Sequence, residues 1–241
     1  MQFHRGLVYY LKQKFTTNQK DITMRQAGPL QAIEVYQNPD AKWVILFHGY
    51  GADAQDLASL ADALPLSKPC NFLFPNGFLS VPIGPGWTGR AWWTIRMNDL
   101  PSDWSNERPD QMDRAVDKAF QMISSMKFDW KNIILGGFSQ GAMLATEVFL
   151  KAPETPAGLI CLSGTLLSEN VWAQLAVKRQ NSHVLISHGE ADPVLPHKGA
   201  LQLQHFFEKH QIKTQFVSFR GGHEIPAIVI QKMKSYIEER L

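Results

Sequence analysis

The sequence lacks several features that mark common classes of protein. It has no run of about 18 apolar residues, the length that a membrane-spanning helix needs. Lysine and arginine together number 24 against 22 acidic residues, and this net charge of +2 does not favour nucleic-acid binding. No His-Glu-x-x-His or other metal-ligand spacing occurs, so we expect no catalytic metal. These absences leave a protein that acts on small molecules as the main class to consider.

Cysteine is also scarce. The only two, Cys70 and Cys161, lie beside apolar residues, where a reduced thiol behaves as a small hydrophobic side chain. A disulfide framework is therefore not expected. The apolar patch near the N-terminus is too short for a secretory signal and lacks a small-residue cleavage site. Together these features predict a cytoplasmic protein with no integral membrane segment.

Short apolar runs alternate with amphipathic segments along most of the chain. The runs are rich in Ile, Val, Leu and Phe, which is typical of strands buried on both faces of a parallel sheet. They cover residues 32–36, 43–47, 71–74, 133–135, 158–162, 184–187 and 215–219. Helical periodicity predicts helices over residues 53–64, 111–126, 142–150, 200–209 and 225–237. The alternation predicts one α/β domain over residues 1–241, with a mostly parallel central sheet, helices on both faces and a site at the carboxyl ends of the strands.

Two segments do not follow this alternation. Residues 1–30 are of mixed polarity and end near the breaker pair Gly28-Pro29, so they form either an N-terminal extension or an edge element of the sheet. Residues 75–109 are far longer than an ordinary connection between a strand and a helix, and they hold four of the seven tryptophans. We expect this second segment to be a lid or a binding loop.

A Gly-x-Ser-x-Gly motif, residues 137–141, stands between a predicted buried strand and a predicted helix. Chance alone would produce this pentapeptide about 0.1 times in a chain of this length, so the flanking elements are what give it weight. In that context the motif forms a strained strand-to-helix turn that lifts a serine hydroxyl above the sheet. The sequence therefore predicts Ser139 as a nucleophile, in preference to a glycine-rich turn without chemistry.

An acid and a histidine follow Ser139 in the order that such a serine needs. Asp192 lies in an acidic turn after the strand predicted at residues 184–187, and Glu190, two residues earlier, is its competitor. His223 lies in a glycine-flanked turn after the last predicted strand. We predict that His223 takes the proton of Ser139 and that Asp192 orients the imidazole. The other seven histidines are interpreted as surface residues.

A tetrahedral intermediate also needs fixed donors for its oxyanion. One is predicted to be the backbone N–H of Gln140, the residue after the nucleophile. The second is predicted in the loop after the strand at residues 43–47, where Tyr50 lies within His-Gly-Tyr-Gly. The alternative for that loop is an ordinary glycine turn.

With these residues in view, the chain resembles the phospholipase/carboxylesterase family of α/β-hydrolases, which includes bacterial carboxylesterases and acyl-protein thioesterases. The likeness extends from about Val44 to the C-terminus, and its motifs occur in family order at residues 46–53, 89–93, 136–142, 188–194 and 222–223. The resemblance implies the α/β-hydrolase fold, with Ser139, Asp192 and His223 as the triad. It also implies Tyr50 and Gln140 as oxyanion donors, a substrate with a short to medium acyl chain, no cofactor, and often a homodimer.

One motif departs from the family pattern. Trp92-Trp93-Thr94 stands where members commonly carry Trp-Phe-Asp. Large aromatic side chains serve cores and apolar pockets alike, so Trp92 and Trp93 either pack over the sheet or form a substrate-binding wall for an acyl group.

The leading hypothesis is a serine carboxylesterase acting on carboxylic esters or thioesters, with lysophospholipase or acyl-protein thioesterase activity within its range. The substrate partner is then a small-molecule or lipid acyl ester or thioester. Two alternatives share the same residues. One is a serine peptidase on the same fold, and the other is a hydrolase-fold protein that binds an acyl group or lipid without turnover.

Overall fold

A computed structural model describes residues 21–95, 101 and 103–241 of the chain. Within these ranges eight strands form one sheet and two more form a hairpin. The strands are β1 (Asp21–Ala27), β2 (Leu30–Tyr36), β3 (Trp43–Phe47), β4 (Asn71–Pro75), β5 (Leu79–Gly84), β6 (Trp87–Ala91), β7 (Ile133–Phe138), β8 (Gly158–Leu162), β9 (His183–Gly189) and β10 (Lys213–Phe219). The α-helices are α1 (Ala54–Ala58), α2 (Leu60–Ala63), α3 (Met112–Ser125), α4 (Gln140–Lys151), α5 (Glu169–Ala176), α6 (His197–Lys209) and α7 (Ala227–Glu238).

The large sheet has the strand order β1-β2-β4-β3-β7-β8-β9-β10. Strands β4, β3, β7, β8, β9 and β10 pair in parallel, while β2 is antiparallel to both β1 and β4. Because parallel strands end at the same edge, the loops that follow β3, β7, β9 and β10 lie together there. The order therefore gathers the predicted site residues at one edge of the sheet.

Helices cover both faces of the sheet, and each face has its own apolar core. Alternate residues of a strand point to opposite faces, so Ile45 packs into one cluster and Val44 into the other. The first cluster includes side chains of α3, α4, α5 and α6, and the second includes side chains of α1, α2 and α7. This is the three-layer arrangement predicted from the sequence. Within the described ranges, no helix is both long and apolar enough to cross a bilayer.

Several elements differ from the prediction. The helix predicted over residues 53–64 is interrupted at Ser59, which ends α1 and precedes α2. Strand β1 lies at the edge of the sheet within residues 1–30, for which an edge element was one of the two alternatives; six of its seven residues are exposed, so it has no hydrophobic pattern, and pairing with β2 creates it. Helix α5 was also not predicted. Residues 1–20, 96–100 and 102, which include part of both unusual segments, lie outside the described residues.

The Trp-rich segment contains the antiparallel hairpin of β5 and β6. Pro82 interrupts β5 and Gly89 interrupts β6, which explains why hydrophobic periodicity did not reveal them. The hairpin lies against the loop that follows β3, since a β-carbon at Gly51 would be 2.9 Å from Cγ2 of Ile83. Part of the predicted binding loop thus covers the predicted oxyanion loop.

Candidate active site

Ser139 stands at a sharp turn between β7 and α4. Its φ of 55° and ψ of −117° lie in a region that residues other than glycine rarely adopt. The turn is anchored by a hydrogen bond of 2.8 Å from the Ser139 amide to the carbonyl oxygen of Leu162. The backbone strain predicted for a nucleophile elbow is thus present at the serine itself.

Two glycines make this turn sterically feasible. A β-carbon at Gly141 would lie 2.0 Å from the carbonyl oxygen of Phe47, and one at Gly137 would lie 2.4 Å from the backbone of Gly141. Both distances are far below van der Waals contact, so no side chain fits at either position. Strands β3 and β7 and the start of α4 meet at this point.

The loop after β3 lies beside the elbow. A β-carbon at Gly49 would be 3.4 Å from Cβ of Ser139, which places the following residue, Tyr50, close to the nucleophile. Two backbone hydrogen bonds of 2.8 Å, between Gly51 and Arg90 and between Arg90 and Ala52, hold the loop against β6. Its position is therefore set by the hairpin.

Both predicted oxyanion donors are unpaired in the part of the chain that the structure describes. Neither the Tyr50 amide nor the Gln140 amide donates a hydrogen bond there. Gln140 is the first residue of α4, where amides have no partner within the helix and the helix dipole favours negative charge. The two amides are available to an oxygen placed near Ser139.

The structure brings Asp192 and His223 together. His223 Nδ1 donates to Oδ2 of Asp192 over 2.6 Å, and Oδ1 of Asp192 accepts from the amides of Val194 and Leu195 at 2.8 and 2.9 Å. Burial on its own would raise the pKa of Asp192, but hydrogen bonds from His188 and His223 hold that pKa well below its usual value. The carboxylate is thus ionised and oriented toward the imidazole.

Glu190 occupies a different position. It is exposed, and its Oε1 accepts a hydrogen bond of 3.1 Å from the hydroxyl of Ser218. Among the described residues, Glu190 makes no contact with His223. Between the two predicted carboxylates, Asp192 is the one that meets the imidazole.

His223 also approaches the elbow. Its ring packs against that of Phe138, the neighbour of Ser139, with 4.7 Å between the ring centroids. No hydrogen bond joins the Ser139 hydroxyl to His223, and this hydroxyl has no partner among the described residues. Catalytic hydrogen bonds of this type are often long in unliganded enzymes and tighten only when substrate binds.

The chain matches the family model described as Phospholipase/Carboxylesterase over residues 29–241. It belongs to this family. The match begins at the start of β2, so the edge strand β1 precedes the region shared with the family.

Relatives within the family are thioesterases and esterases. The chain is 28% identical over 231 residues to acyl-protein thioesterase 1 of Kluyveromyces lactis, covering 88% of this chain and 99% of that protein. It is 27% identical over 218 residues to acyl-protein thioesterase 1 of Saccharomyces cerevisiae, covering 84% and 94% respectively. In fold it resembles the crystal structure of esterase PE8, with a TM-score of 0.76, 24% identity and coverage of 88% and 99%.

These matches confirm the family and the α/β-hydrolase fold predicted from the sequence. The predicted enzyme class, a serine hydrolase of carboxylic esters or thioesters, is confirmed as well. The serine peptidase alternative is not favoured. In the described ranges, no group of three or more His, Cys, Asp or Glu side chains could hold a metal ion.

Trp92 and Trp93 lie in the interior of this hydrolase, with 0% and 1% of their surface exposed. Both side chains are buried, as packing over the sheet requires, and neither lines an open surface. The tryptophans of the segment do not form one wall, because Trp87 is 70% exposed on the hairpin while Trp104 is buried.

The side chain of Gln140 forms hydrogen bonds to the backbone of Trp92 and Trp93. Its Oε1 accepts from the Trp92 amide at 2.9 Å, and its Nε2 donates to the Trp93 carbonyl at 2.8 Å. Gln140 is fully buried, so both ends of its amide are satisfied without water. The residue that supplies a predicted oxyanion amide thus also fixes the segment after β6.

His48 is buried behind the oxyanion loop, and its interpretation as a surface residue was wrong. Its Nδ1 contacts the Gly49 carbonyl at 2.7 Å, and its Nε2 accepts from the Gly77 amide at 2.9 Å. The Trp92 indole donates to the His48 carbonyl at 2.9 Å. Burial lowers the pKa of His48 to about 4, so the neutral ring joins the loop to the turn after β4.

His188, also interpreted as a surface residue, is fully buried next to the acid. Its Nε2 lies 2.8 Å from the carbonyl oxygen of Leu195 and 3.2 Å from Oδ2 of Asp192. A proton on Nε2 serves both acceptors, while the buried Nδ1 has no hydrogen-bond partner among the described residues. His188 is the last residue but one of the buried strand β9, four residues before Asp192, and that position was the signal that could have revealed it.

Proposed function

We propose that Ser139, His223 and Asp192 form the catalytic triad that hydrolyses acyl esters or thioesters in this chain. The observation that carries the proposal is the 2.6 Å hydrogen bond between Asp192 and His223, formed beside a serine with the backbone of a nucleophile elbow. A buried carboxylate that accepts from Nδ1 leaves Nε2 of His223 free to act as the base.

In the first step the Ser139 hydroxyl attacks the acyl carbon while His223 accepts its proton. The developing negative charge falls on the former carbonyl oxygen, which the amides of Tyr50 and Gln140 then bind. Asp192 stabilises the imidazolium through the hydrogen bond already in place. These donors are part of the rigid backbone, so they need not reorganise as the charge appears.

Collapse of this intermediate breaks the bond between the acyl carbon and the leaving alcohol or thiol. The leaving oxygen or sulfur takes the proton from His223, and an acyl-Ser139 ester remains. Water then attacks the ester with His223 again accepting a proton, and the acid is released. The step from Ser139 to His223 requires their hydrogen bond to form once substrate occupies the site.

We propose acyl chains of short to medium length, in ester or thioester linkage, as the substrate class. The named activity of the relatives, acyl-protein thioesterase, supports the thioester. Lysophospholipase activity falls within the same chemistry. A homodimer and a cytoplasmic location remain predictions, which light scattering of the purified protein and cell fractionation can test.

The test is covalent labelling with a fluorophosphonate, combined with turnover of p-nitrophenyl acetate, butyrate and octanoate and of matched thioesters. Wild type should label and turn over, and Ser139→Ala should lose labelling and at least about 10⁴-fold in kcat. Ser124→Ala, an exposed serine on α3, is the matched control and should behave as wild type.

Labelling that survives in Ser139→Ala would overturn the proposal. Absence of Ser139-dependent turnover on every ester and thioester would instead support a protein that only binds acyl groups. Faster cleavage of an amide than of the matched ester would support a peptidase.

A further inference from the structure

A cavity lies beside the elements that support the oxyanion loop. Its volume is about 360 Å³, and Gly77, Phe78 and Arg90 are among its lining residues. Gly77 donates to His48, and the backbone of Arg90 pairs with the loop after β3. The cavity and the predicted oxyanion donors are therefore attached to the same short segments.

Three cationic side chains converge on this cavity: Arg90 from β6, and Arg114 and Lys118 from α3. The Arg114 guanidinium carbon lies 4.8 Å, and the Lys118 ammonium 5.4 Å, from the centroid of the Phe78 ring. Both positive charges are thus held against the Phe78 ring. Phe78 orders them without neutralising either.

Among the described residues, no carboxylate lines the cavity. In the described ranges none of the three cations forms an ion pair, and the nearby Asp113 pairs with Arg108 and Lys151 instead. Like charges four residues apart on a helix repel each other, so Arg114 and Lys118 are unfavourable neighbours in the empty cavity. A bound anion would remove that repulsion.

The neutral groups of the lining also include a free donor. Asn76 Oδ1 accepts the Ala54 amide at 2.8 Å, and in the part of the chain that the structure describes the NH₂ of Asn76 donates to no protein group. A cavity with three cations, a free amide donor and no acid is complementary to an oxyanion of more than one charge.

We propose that this cavity binds the phosphate group of a small phosphorylated molecule. A phosphate monoester carries nearly two negative charges and three strong acceptor oxygens, which suits two guanidinium groups and an ammonium better than a single carboxylate does. The volume exceeds that of a phosphate alone, so part of the attached organic group also fits. The phosphate belongs either to the leaving group of the substrate or to a separate effector.

Binding is tested first, without reference to turnover. Titration of the purified protein with inorganic phosphate and pyrophosphate at constant ionic strength should show saturable binding, with pyrophosphate the tighter. The double variant Arg114→Gln/Lys118→Gln should bind at least about tenfold more weakly, because two charge-assisted contacts are lost. Lys118→Arg should retain binding, and Lys178→Gln, which changes an exposed cation just after α5, should match wild type.

Two results overturn the proposal. One is the absence of saturable binding to wild type, and the other is binding that the folded double variant retains in full. Circular dichroism and a melting curve establish that the variant is folded. Since this readout is binding, the proposal fails or stands independently of the triad proposed above.

The source of the phosphate is resolved by kinetics, and this arm rests on the proposed esterase function. If the phosphate belongs to the substrate, the double variant should lose kcat/KM only for thioesters with a phosphorylated leaving group, and not for neutral thioesters. If it belongs to an effector, pyrophosphate should change the turnover of a neutral ester saturably in wild type and not in the double variant.

Discussion

The two sides of the proposed active site are held in place by different kinds of interaction. On the acid side, side chains set the geometry: Asp192 accepts hydrogen bonds from two amides, from His223 and from His188. On the nucleophile side, backbone atoms set it, because glycines allow β3, β7 and α4 to approach within distances that exclude any side chain. The geometry of the acid side therefore depends on charge and hydrogen bonding. The geometry of the nucleophile side depends on the small volume of its glycines.

This difference predicts different consequences for substitution. A change on the acid side that keeps the shape but alters the charge should abolish activity and leave the fold intact. A change on the nucleophile side that adds one methyl group should destabilise the fold itself.

The largest effect is expected for Asp192→Asn. The amide keeps the shape of the carboxylate but no longer stabilises an imidazolium, so kcat should fall about 10⁴-fold with the melting temperature little changed. Steady-state kinetics on a p-nitrophenyl ester measure this loss. Glu190→Gln is the matched control and should retain most of the activity. The reverse ranking would show that Glu190, and not Asp192, orients the imidazole.

Gly141→Ala tests the nucleophile side. The added methyl group would lie 2.0 Å from the Phe47 carbonyl oxygen, so the free energy of unfolding should fall by about 3 kcal/mol or more. Urea unfolding followed by circular dichroism measures it. Gly84→Ala, where nothing lies within 4 Å of the new β-carbon, should change stability by less than about 0.5 kcal/mol. Equal effects at the two glycines would contradict the dependence on volume.

His48 gives the nucleophile side a pH dependence. Its pKa falls from an ordinary 6.5 to about 4 on folding, so the unfolded chain binds the proton more readily between these values. The contribution of neutral His48 to the free energy of unfolding is complete above about pH 6.5 and is lost as the pH falls toward 4. The total loss over this range is about 3 kcal/mol. Unfolding free energies of wild type and His48→Gln across this range should differ in slope, and parallel curves would refute the assignment.

The smallest effect is expected for His188→Leu, which removes one of the donors to Asp192. We expect kcat to fall about tenfold with KM nearly unchanged, because the imidazole loses orientation while the contacts to substrate remain. His188→Gln, which keeps an N–H at this position, should recover much of the rate. A rise in KM without loss of kcat would show that His188 does not act through Asp192.

The strands that are buried on both faces could be predicted from the sequence because burial leaves a continuous apolar run, as in residues 158–162. The triad candidates could be ordered along the chain because each follows a predicted strand. An edge element was one of two alternatives for residues 1–30, but the bounds of β1 and the β5–β6 hairpin could not be predicted, since their residues are mostly exposed and only pairing defines them. The positions of His48 and His188 were missed because the residue type alone does not distinguish a buried histidine from an exposed one, and the buried strand at or before each residue was not taken into account.

The sequence by itself determined the family and the alternation of strands and helices, and it nominated Ser139, His223 and two carboxylates, Asp192 and Glu190, because these depend on local pattern and order. Tertiary structure alone decided which carboxylate meets the imidazole and that Trp92 and Trp93 are buried. It alone also brought Arg90, Arg114 and Lys118 to one cavity. The physical reason is that hydrogen bonds and charge clusters join residues distant along the chain, and their partners exist only after the sheet has formed.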